Sequence, residues 1–364
     1  MSMRGVRNNK YYLVLILTFI FFLSLIPAVH SLTIDSCQEL NNTGITYVLN
    51  QSVSIAGSTC FNITAANITL DCNRSYIVGD NSTDTYGIYS NQRNTTIKNC
   101  NIMGYPKSGI YLDVNSSNAT LTNIIISNAS ASACTSAYAI NAVASNYNFS
   151  NLQFANIHAG DCEDEVNPGG NFIAINVPGN HSMFNNITLN NNSHGLDLTE
   201  LVDDGNGRSY GVQITGDYNQ LKNVFSDEAV AYFTGDGTYN NISNVNANIF
   251  SQGVGIWISN THATINNISV HNNFGFAIYL QNSNYDIVTN ITTETDSLGG
   301  LALHNSKYNN FSNINATCAG AWCILIEWES NYNNITDSVG TTDNGYGIYI
   351  LTQEIIIPSR IVQE

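Results

Sequence analysis

Few side chains in this sequence could carry acid–base chemistry, because only 10% of its 364 residues are charged. The densest acidic cluster lies in LVDDGNGRSYG, which brings Asp203, Asp204 and Arg208 close together, with Asp217 and Asp236 starting nearby turns. His304 and Glu327 occupy one position of a short motif that recurs along the chain. An inverting glycosidase needs an acid and a base about 6.5–9.5 Å apart. These five residues (Asp203, Asp204, Arg208, His304 and Glu327) are the candidate catalytic groups, although no second acid joins the His304–Glu327 pair. The run Asp161, Glu163, Asp164 and Glu165 could hold calcium through several carboxylates; a solvated loop closed by Cys162 is the plainer reading. No other cofactor is indicated, since a phosphate loop, a dinucleotide fingerprint and a Cys-x-x-Cys zinc pattern are all absent.

Aromatic residues offer a different chemistry. The motif YGIY (86–89) returns as SGIY (108–111), YAIN (138–141), IAIN (173–176), YGVQ (210–213), VGIW (254–257), FAIY (276–279) and YGIY (346–349). With Ile88, Ile110, Ile256, Ile278 and Ile348 turned inward, Tyr89, Tyr111, Trp257, Tyr279 and Tyr349 point outward on a strand of period two. Asn141, Asn176 and Gln213 share their column. Two residues on, a second outward column holds Asp113, Thr215, Ser259, Gln281, His304 and Glu327. Rings stack on the apolar faces of sugars while amides and acids bind hydroxyls. Tyr89, Tyr111, Gln213, Trp257, Tyr279 and Gln281 are therefore the candidate glycan-binding set. Against this, aromatic residues are common on strands, and a long loop could cover them.

These residues are positioned by a repeat. An Asn recurs at 99, 123, 151, 186, 223, 244, 267, 290 and 313, and Asp337 continues the series. Two residues before each stands an apolar side chain: Ile97, Leu121, Phe149, Phe184, Leu221, Ile242, Ile265, Val288, Phe311 and Ile335. The later spacings are 21, 23, 23, 23 and 24 residues, and earlier ones stretch to 28, 35 and 37 through insertions. Each repeat holds about three short strands, too few to bury a face alone, so repeats must stack. The fold class this predicts is all-β: a single-stranded right-handed parallel β-helix of about 11 coils of 21–24 residues, stacked ~4.8 Å apart. A leucine-rich horseshoe would need an L-x-x-L-x-L pattern, which is missing.

The recurring Asn suits a tight turn, where it tolerates left-handed angles and can bond its copies above and below. A further column of Tyr147, Tyr218, Tyr239, Tyr285, Tyr308 and Tyr332, with His181 and His262 in matching places, reads as stacked rings. The two histidines stand in for Tyr and make a poor metal site. The chain also carries about twenty Asn-x-Ser/Thr sequons. Asn62, Asn67, Asn94, Asn118, Asn148, Asn241, Asn310 and Asn334 are candidates for glycosylation. Asn186, Asn267 and Asn290 are expected to be buried in the Asn column and unmodified.

The GIY…N-x-x-I-x-N repeats resemble the right-handed parallel β-helix repeats of the pectate-lyase-like superfamily, of the carbohydrate-binding and sugar-hydrolase repeat type. The segment SCQELNNTGITYVLNQSV…TCFNITAANITLDCN is similar to the cysteine-bearing entry of secreted archaeal surface proteins of this kind. The resemblance spans roughly residues 32–350. It implies glycan binding along the GIY sheet, and lyases of this fold use calcium on clustered acids with an Arg or Lys base. Family hydrolases carry an Asn-Thr-Asp segment, an Asp pair, a Gly-His-Gly and an Arg-Ile-Lys; only the pair Asp203–Asp204 is present here. The fold hosts enzymes, adhesins and inert rods alike, so it does not settle activity.

Residues 1–31 read as a signal peptide: Arg4, Arg7 and Lys10 precede an apolar run that Pro27 breaks. An uncleaved anchor is the alternative, and the only membrane association the sequence suggests. Removing them leaves eight basic residues against 27 acidic ones, a net charge of −19, which repels nucleic acid. All eight cysteines follow the leader, and sequence proximity pairs Cys37 with Cys60, Cys72 with Cys100, Cys134 with Cys162 and Cys318 with Cys323. Residues 32–72 form an N-terminal cap with the first strands, 73–350 the β-helix, and 351–364 a C-terminal tail without an evident cap, whose open coil could pair with another chain. The expected protein is secreted or on the cell surface, glycosylated, disulfide-bonded, and a scaffold or an adhesin for a polysaccharide or cell-surface glycan. The alternative is an extracellular polysaccharide lyase or glycoside hydrolase.

Overall fold

The computed structural model describes residues 30–81, 85–105, 107–130, 137–158, 172–190, 209–227, 237–249, 254–259, 261–273, 275–320, 322–351 and 361–363. Among them there are strands and turns but no helix. Equivalent strands from successive coils pair in parallel, as Thr120–Ser130 does with Asn148–His158 and Ser108–Leu112 with Ala137–Ala142. The chain is a parallel β-helix of the right-handed type. A late coil shows the three strands clearly: Asn334–Thr336, Ser338–Thr342 and Tyr346–Leu351. The first two belong to one 17-stranded sheet; the strands bearing the GIY motif lie in a 7-stranded and a 5-stranded sheet.

The apolar column foreseen two residues before each Asn is the core. Leu121, Phe149, Phe184, Ile265, Val288 and Phe311 are all buried, facing Ile88, Ile110, Ile256 and Ile278 of the GIY strands across one continuous interior. That arrangement removes apolar area from water that no single coil could hide. Three foreseen disulfides are present: Cys37–Cys60, Cys72–Cys100 and Cys318–Cys323. The first two bridge 23 and 28 residues, about one coil, and so staple neighbouring turns. Cys134 and Cys162 lie outside the described residues, as do residues 1–29. Near the other end, Ile361–Gln363 adds a strand to the long sheet against Ser338–Gly340.

The Asn column bends the long strands. Asn99, Asn123, Asn151, Asn186, Asn223, Asn244, Asn267, Asn290 and Asn313 all have φ between 55° and 60°. A single left-handed residue turns the chain so that the residues two before and one after it, for example Ile242 and Val245 around Asn244, both point inward. The Asn side chain is then driven outward. This corrects the expected burial: apart from the half-buried Asn99, the column, including Asn186, Asn267 and Asn290, is exposed. Its amides are nonetheless engaged, as Nδ2 of Asn123, Asn151 and Asn186 donates to Oδ1 of the preceding rung at 2.8–2.9 Å. Two rungs divert by one residue, Asn223 to Asn185 and Asn290 to Asn266.

A second left-handed corner follows each GIY strand. It holds Asn67, Asn94, Asn118 and Asn146 in the early coils, then His181, Tyr218, Tyr239, His262, Tyr285, Tyr308 and Tyr332, all with φ of 56–64°. The seven rings form one stack with centroids 4.8–5.2 Å apart. Bulky residues rarely adopt this conformation, and the stack offsets part of that strain. Tyr147 does not belong to it. It sits two residues before its core partner Phe149, whereas ladder residues sit three before theirs. Tyr147 is therefore only 2% exposed, packed on Phe149 and bonded to Ser116, while Asn146 takes the corner.

Beneath the rings runs a buried polar row of Asn219, Asn240, Asp286, Asn309 and Asn333. Each accepts a bond from a backbone N–H one coil earlier, Asn219 from Ser182, Asp286 from Ala263 and Asn309 from Asp286, at 2.7–2.8 Å. The amides also donate to carbonyls, as Asn309 does to Ser283. Asp286, 1% exposed, cannot donate in that way when ionised. Burial pushes its carboxyl up to about 7, against the bonds from Ser283 and Ala263, which lower it. Gly216 and Gly237 open this turn because coils meet closely there. A Cβ on Gly216 would lie 2.2 Å from the carbonyl oxygen of Gly179.

Candidate glycan-binding face

The outward side of the GIY strands carries two aromatic clusters joined by amides. In the early coils, Tyr89 lies between Asn62 and Tyr111 in register. Tyr89 and Tyr111 stack at 5.7 Å, and Tyr86 stacks on Tyr111 at 5.1 Å. Lys107 places its ammonium 5.5 Å from the Tyr86 ring centre. The Tyr89 hydroxyl donates to Asp113 Oδ2 at 2.8 Å. Burial first, and then that bond, push the Tyr89 phenol up to about 12. Further along, Asn141, Asn176 and Gln213 continue the column, with Asn176 Nδ2 donating to Asn141 at 3.0 Å.

The later cluster is built on Ile256–Ile258, Phe276–Gln281, Gly299–His304 and Trp322–Glu327. Trp257 pairs with Tyr279 in register, and Gln281, His304 and Glu327 follow one another one coil apart. Here the rings are inclined. Trp257 meets Tyr279 at 61° and 6.2 Å, Tyr279 meets His304 at 43°, and His304 meets Trp328 at 36°. His304 Nδ1 stands 3.5 Å from Glu327 Oε1. Burial, with the Glu327 charge second, raises the Tyr279 phenol. The side chains thus form a patch in which Trp257, Tyr279, His304 and Glu327 are half-buried and Trp328 is exposed.

Of the residues expected to bind glycan, Tyr89 joins Tyr111, and Trp257 joins Tyr279 and Gln281. Gln213 stands with Asn176, away from either ring cluster. Of the expected catalytic set, His304 and Glu327 meet; Asp203, Asp204 and Arg208 lie outside the described residues. The acidic run Asp161, Glu163, Asp164 and Glu165 also lies outside them. Among the described residues no group of three or more His, Cys, Asp or Glu is arranged to hold a metal ion.

The sequence reading missed Tyr86, Lys107, Phe276 and Trp328. Strict alternation sets Tyr86 against Tyr89 and Phe276 against Tyr279, yet Tyr86 lies tilted beside Tyr89 at 5.8 Å and Phe276 stacks on Tyr279 at 5.9 Å. The small residues between them, Gly87 and Ala277, are the available signal. A Cβ on Gly87 would lie 2.6 Å from the Gly109 carbonyl oxygen, so coils close in there and the pleat is altered. Trp328 sits just past its strand at φ 47°, where the coils before it carry Asn282 and Asn305; no local pattern announces it.

Fold and face together define a disulfide-stapled parallel β-helix with an interrupted aromatic row along the GIY strands. No family model matches the chain, and no curated protein matches it. Solved structures do resemble it. The A-module of mannuronan C-5 epimerase AlgE6 from Azotobacter vinelandii is 13% identical with a TM-score of 0.43, covering 86% of this chain and 89% of its own. A mannuronic acid specific polysaccharide family 6 lyase from human gut microbiota is 12% identical with a TM-score of 0.45, over 84% and 81%. The catalytic domain of a GH87 α-1,3-glucanase in complex with tetrasaccharides is 13% identical with a TM-score of 0.45, over 90% of this chain and 62% of that one.

Proposed function

We propose that this chain is an exported cell-surface β-helix that binds an extended glycan along the outward face of the GIY sheet. The observation that carries the reading is the inclined cluster of Trp257, Tyr279, His304 and Trp328 beside Glu327. Inclined rings leave faces for the apolar side of a sugar, while the imidazole, carboxylate and Gln281 reach hydroxyls. Stacked coils repeat such contacts along the rod, which suits a polymer. Three disulfides fit an oxidising compartment, and the sequons Asn94, Asn118, Asn148 and Asn310, all exposed, are natural acceptors for modification there. A glycan array tests the reading: binding lost in Trp257→Ala and Tyr279→Ala supports it, and an array without hits sinks it.

The His304–Glu327 pair favours one further reading, cleavage of the bound polysaccharide. An imidazole and a carboxylate on adjacent coils could share proton transfer. Release of reducing ends that disappears in Glu327→Gln, with binding retained, would establish an enzyme. Binding without any release would leave the protein an adhesin.

A further inference from the structure

The long sheet carries a groove that the glycan reading above does not use. It crosses the strands Gln220–Asp227, Asn241–Ile249 and Thr264–Asn272, and has a volume of about 450 Å³. Phe225, Asn246 and Ser269 form one outward column in register, and Asn248 and His271 stand in the next. The groove thus runs on the order of 10 Å along the rod, two coil spacings. Its volume falls within the roughly 300–1,000 Å³ usual for small-ligand sites.

The lining has a definite character. Phe225 is 46% exposed, an aromatic side chain that folding leaves half in water. Beside it stand two side-chain amides and a hydroxyl, each able to donate and accept. His271 closes one wall in a held orientation: one ring nitrogen lies 2.8 Å from Asn273 Oδ1, the other 3.4 Å from Glu294 Oε2. Asp296 lies 4.0 Å from the same imidazole. A ring flanked by amides and a hydroxyl suits a pyranose, whose apolar face stacks while its hydroxyls bond. Glu294 and Asp296, on a chain of net charge −16, disfavour an anionic sugar at the His271 end.

We propose that this groove is a second saccharide site, taking a neutral hexose unit of a short oligosaccharide. It is separate from the GIY face, because Val224, Val245 and Ile268 of the same strands are buried in the core that divides the two. Failure of the GIY reading therefore leaves this one standing, and the reverse also holds.

The test is calorimetric titration of the full chain with neutral hexasaccharides of gluco, manno and galacto configuration, and with hexagalacturonate. Phe225→Ala and Asn248→Ala are compared with Trp257→Ala. The expected result is saturable binding of at least one neutral hexasaccharide with a phase that weakens about tenfold in Phe225→Ala and persists in Trp257→Ala. Hexagalacturonate should not compete at this groove. Three results overturn the proposal: no neutral hexasaccharide binds at millimolar concentration, binding is indifferent to both groove substitutions, or Phe225→Ala weakens hexagalacturonate binding alone.

Discussion

Two rows of aromatic residues run along this rod, and they behave differently. In the corner ladder from His181 to Tyr332, neighbouring rings are nearly parallel, inclined by 5–24°, and each covers the face of the next. Its tyrosines are 41–53% exposed, but what they show to solvent is ring edges and hydroxyls. On the GIY face the early rings Tyr86, Tyr89 and Tyr111 stack as well, but the later ones, Trp257, Tyr279, His304 and Trp328, are inclined by 36–61° in succession, with Phe276 stacked on one face of Tyr279. Regular repetition of a ring at one backbone position favours the stack and consumes its binding surface. An irregular column, in which Trp257 and Tyr279 are followed by the buried Ala302 and Leu325, leaves ring surface for a partner.

The largest effect on this comparison should come from below the ladder. Phe311→Ala leaves a cavity beneath the stacked rings and should cost about 3–5 kcal/mol in chemical denaturation. Glycan affinity measured on the folded fraction should not change; a matching loss of affinity would merge the two rows into one functional unit.

Asp286→Asn acts on the same coils in the opposite direction. The Asp286 carboxyl has its folded value raised from 3.8 to about 7. The stability it contributes is then complete below pH 3.8 and is lost as pH rises through 7. At pH 8 the substitution should stabilise by roughly 2–4 kcal/mol, with little effect at pH 4. Urea melts at the two pH values compare these directly, and equal shifts at both would refute the buried carboxyl as the cause.

Tyr285→Gly is a smaller perturbation with two opposed parts. It removes two stacking contacts of about 0.5–1.5 kcal/mol each and relieves a left-handed Tyr worth about 1–3 kcal/mol. The net change in melting should stay within about 2 kcal/mol, and glycan binding should hold. Trp328→Ala should move stability least, within about 0.5 kcal/mol as for most surface changes, while weakening glycan binding about tenfold. If Tyr285→Gly abolished binding and Trp328→Ala spared it, the roles of the two rows would be exchanged.

Much of the architecture was legible before any coordinates. The 21–24-residue beat and the inward column ending in Phe311 and Ile335 follow from spacing alone, because equivalent positions must coincide when coils stack, and three of the disulfide pairs follow from the nearness of their cysteines in sequence. Asn at a fixed place announced a left-handed corner, since few other residues adopt it without strain. Half of the candidate face was readable too, as Trp257, Tyr279, His304 and Glu327 fall on outward positions of a short strand.

Periodicity left undecided which side of the wall a corner residue would take. A left-handed residue interrupts alternation, so the Asn column came out exposed, and one missing residue before Phe149 sent Tyr147 into the core. Ring inclination and the burial of Asp286 among amides depend on side chains one coil apart, and the meeting of Phe225 with His271 on side chains two coils apart. Phe225 and His271 are forty-six positions distant in the chain, and stacking alone makes them neighbours. Local sequence therefore decided where the strands and turns fall. Coil-on-coil packing decided which aromatic faces remain open.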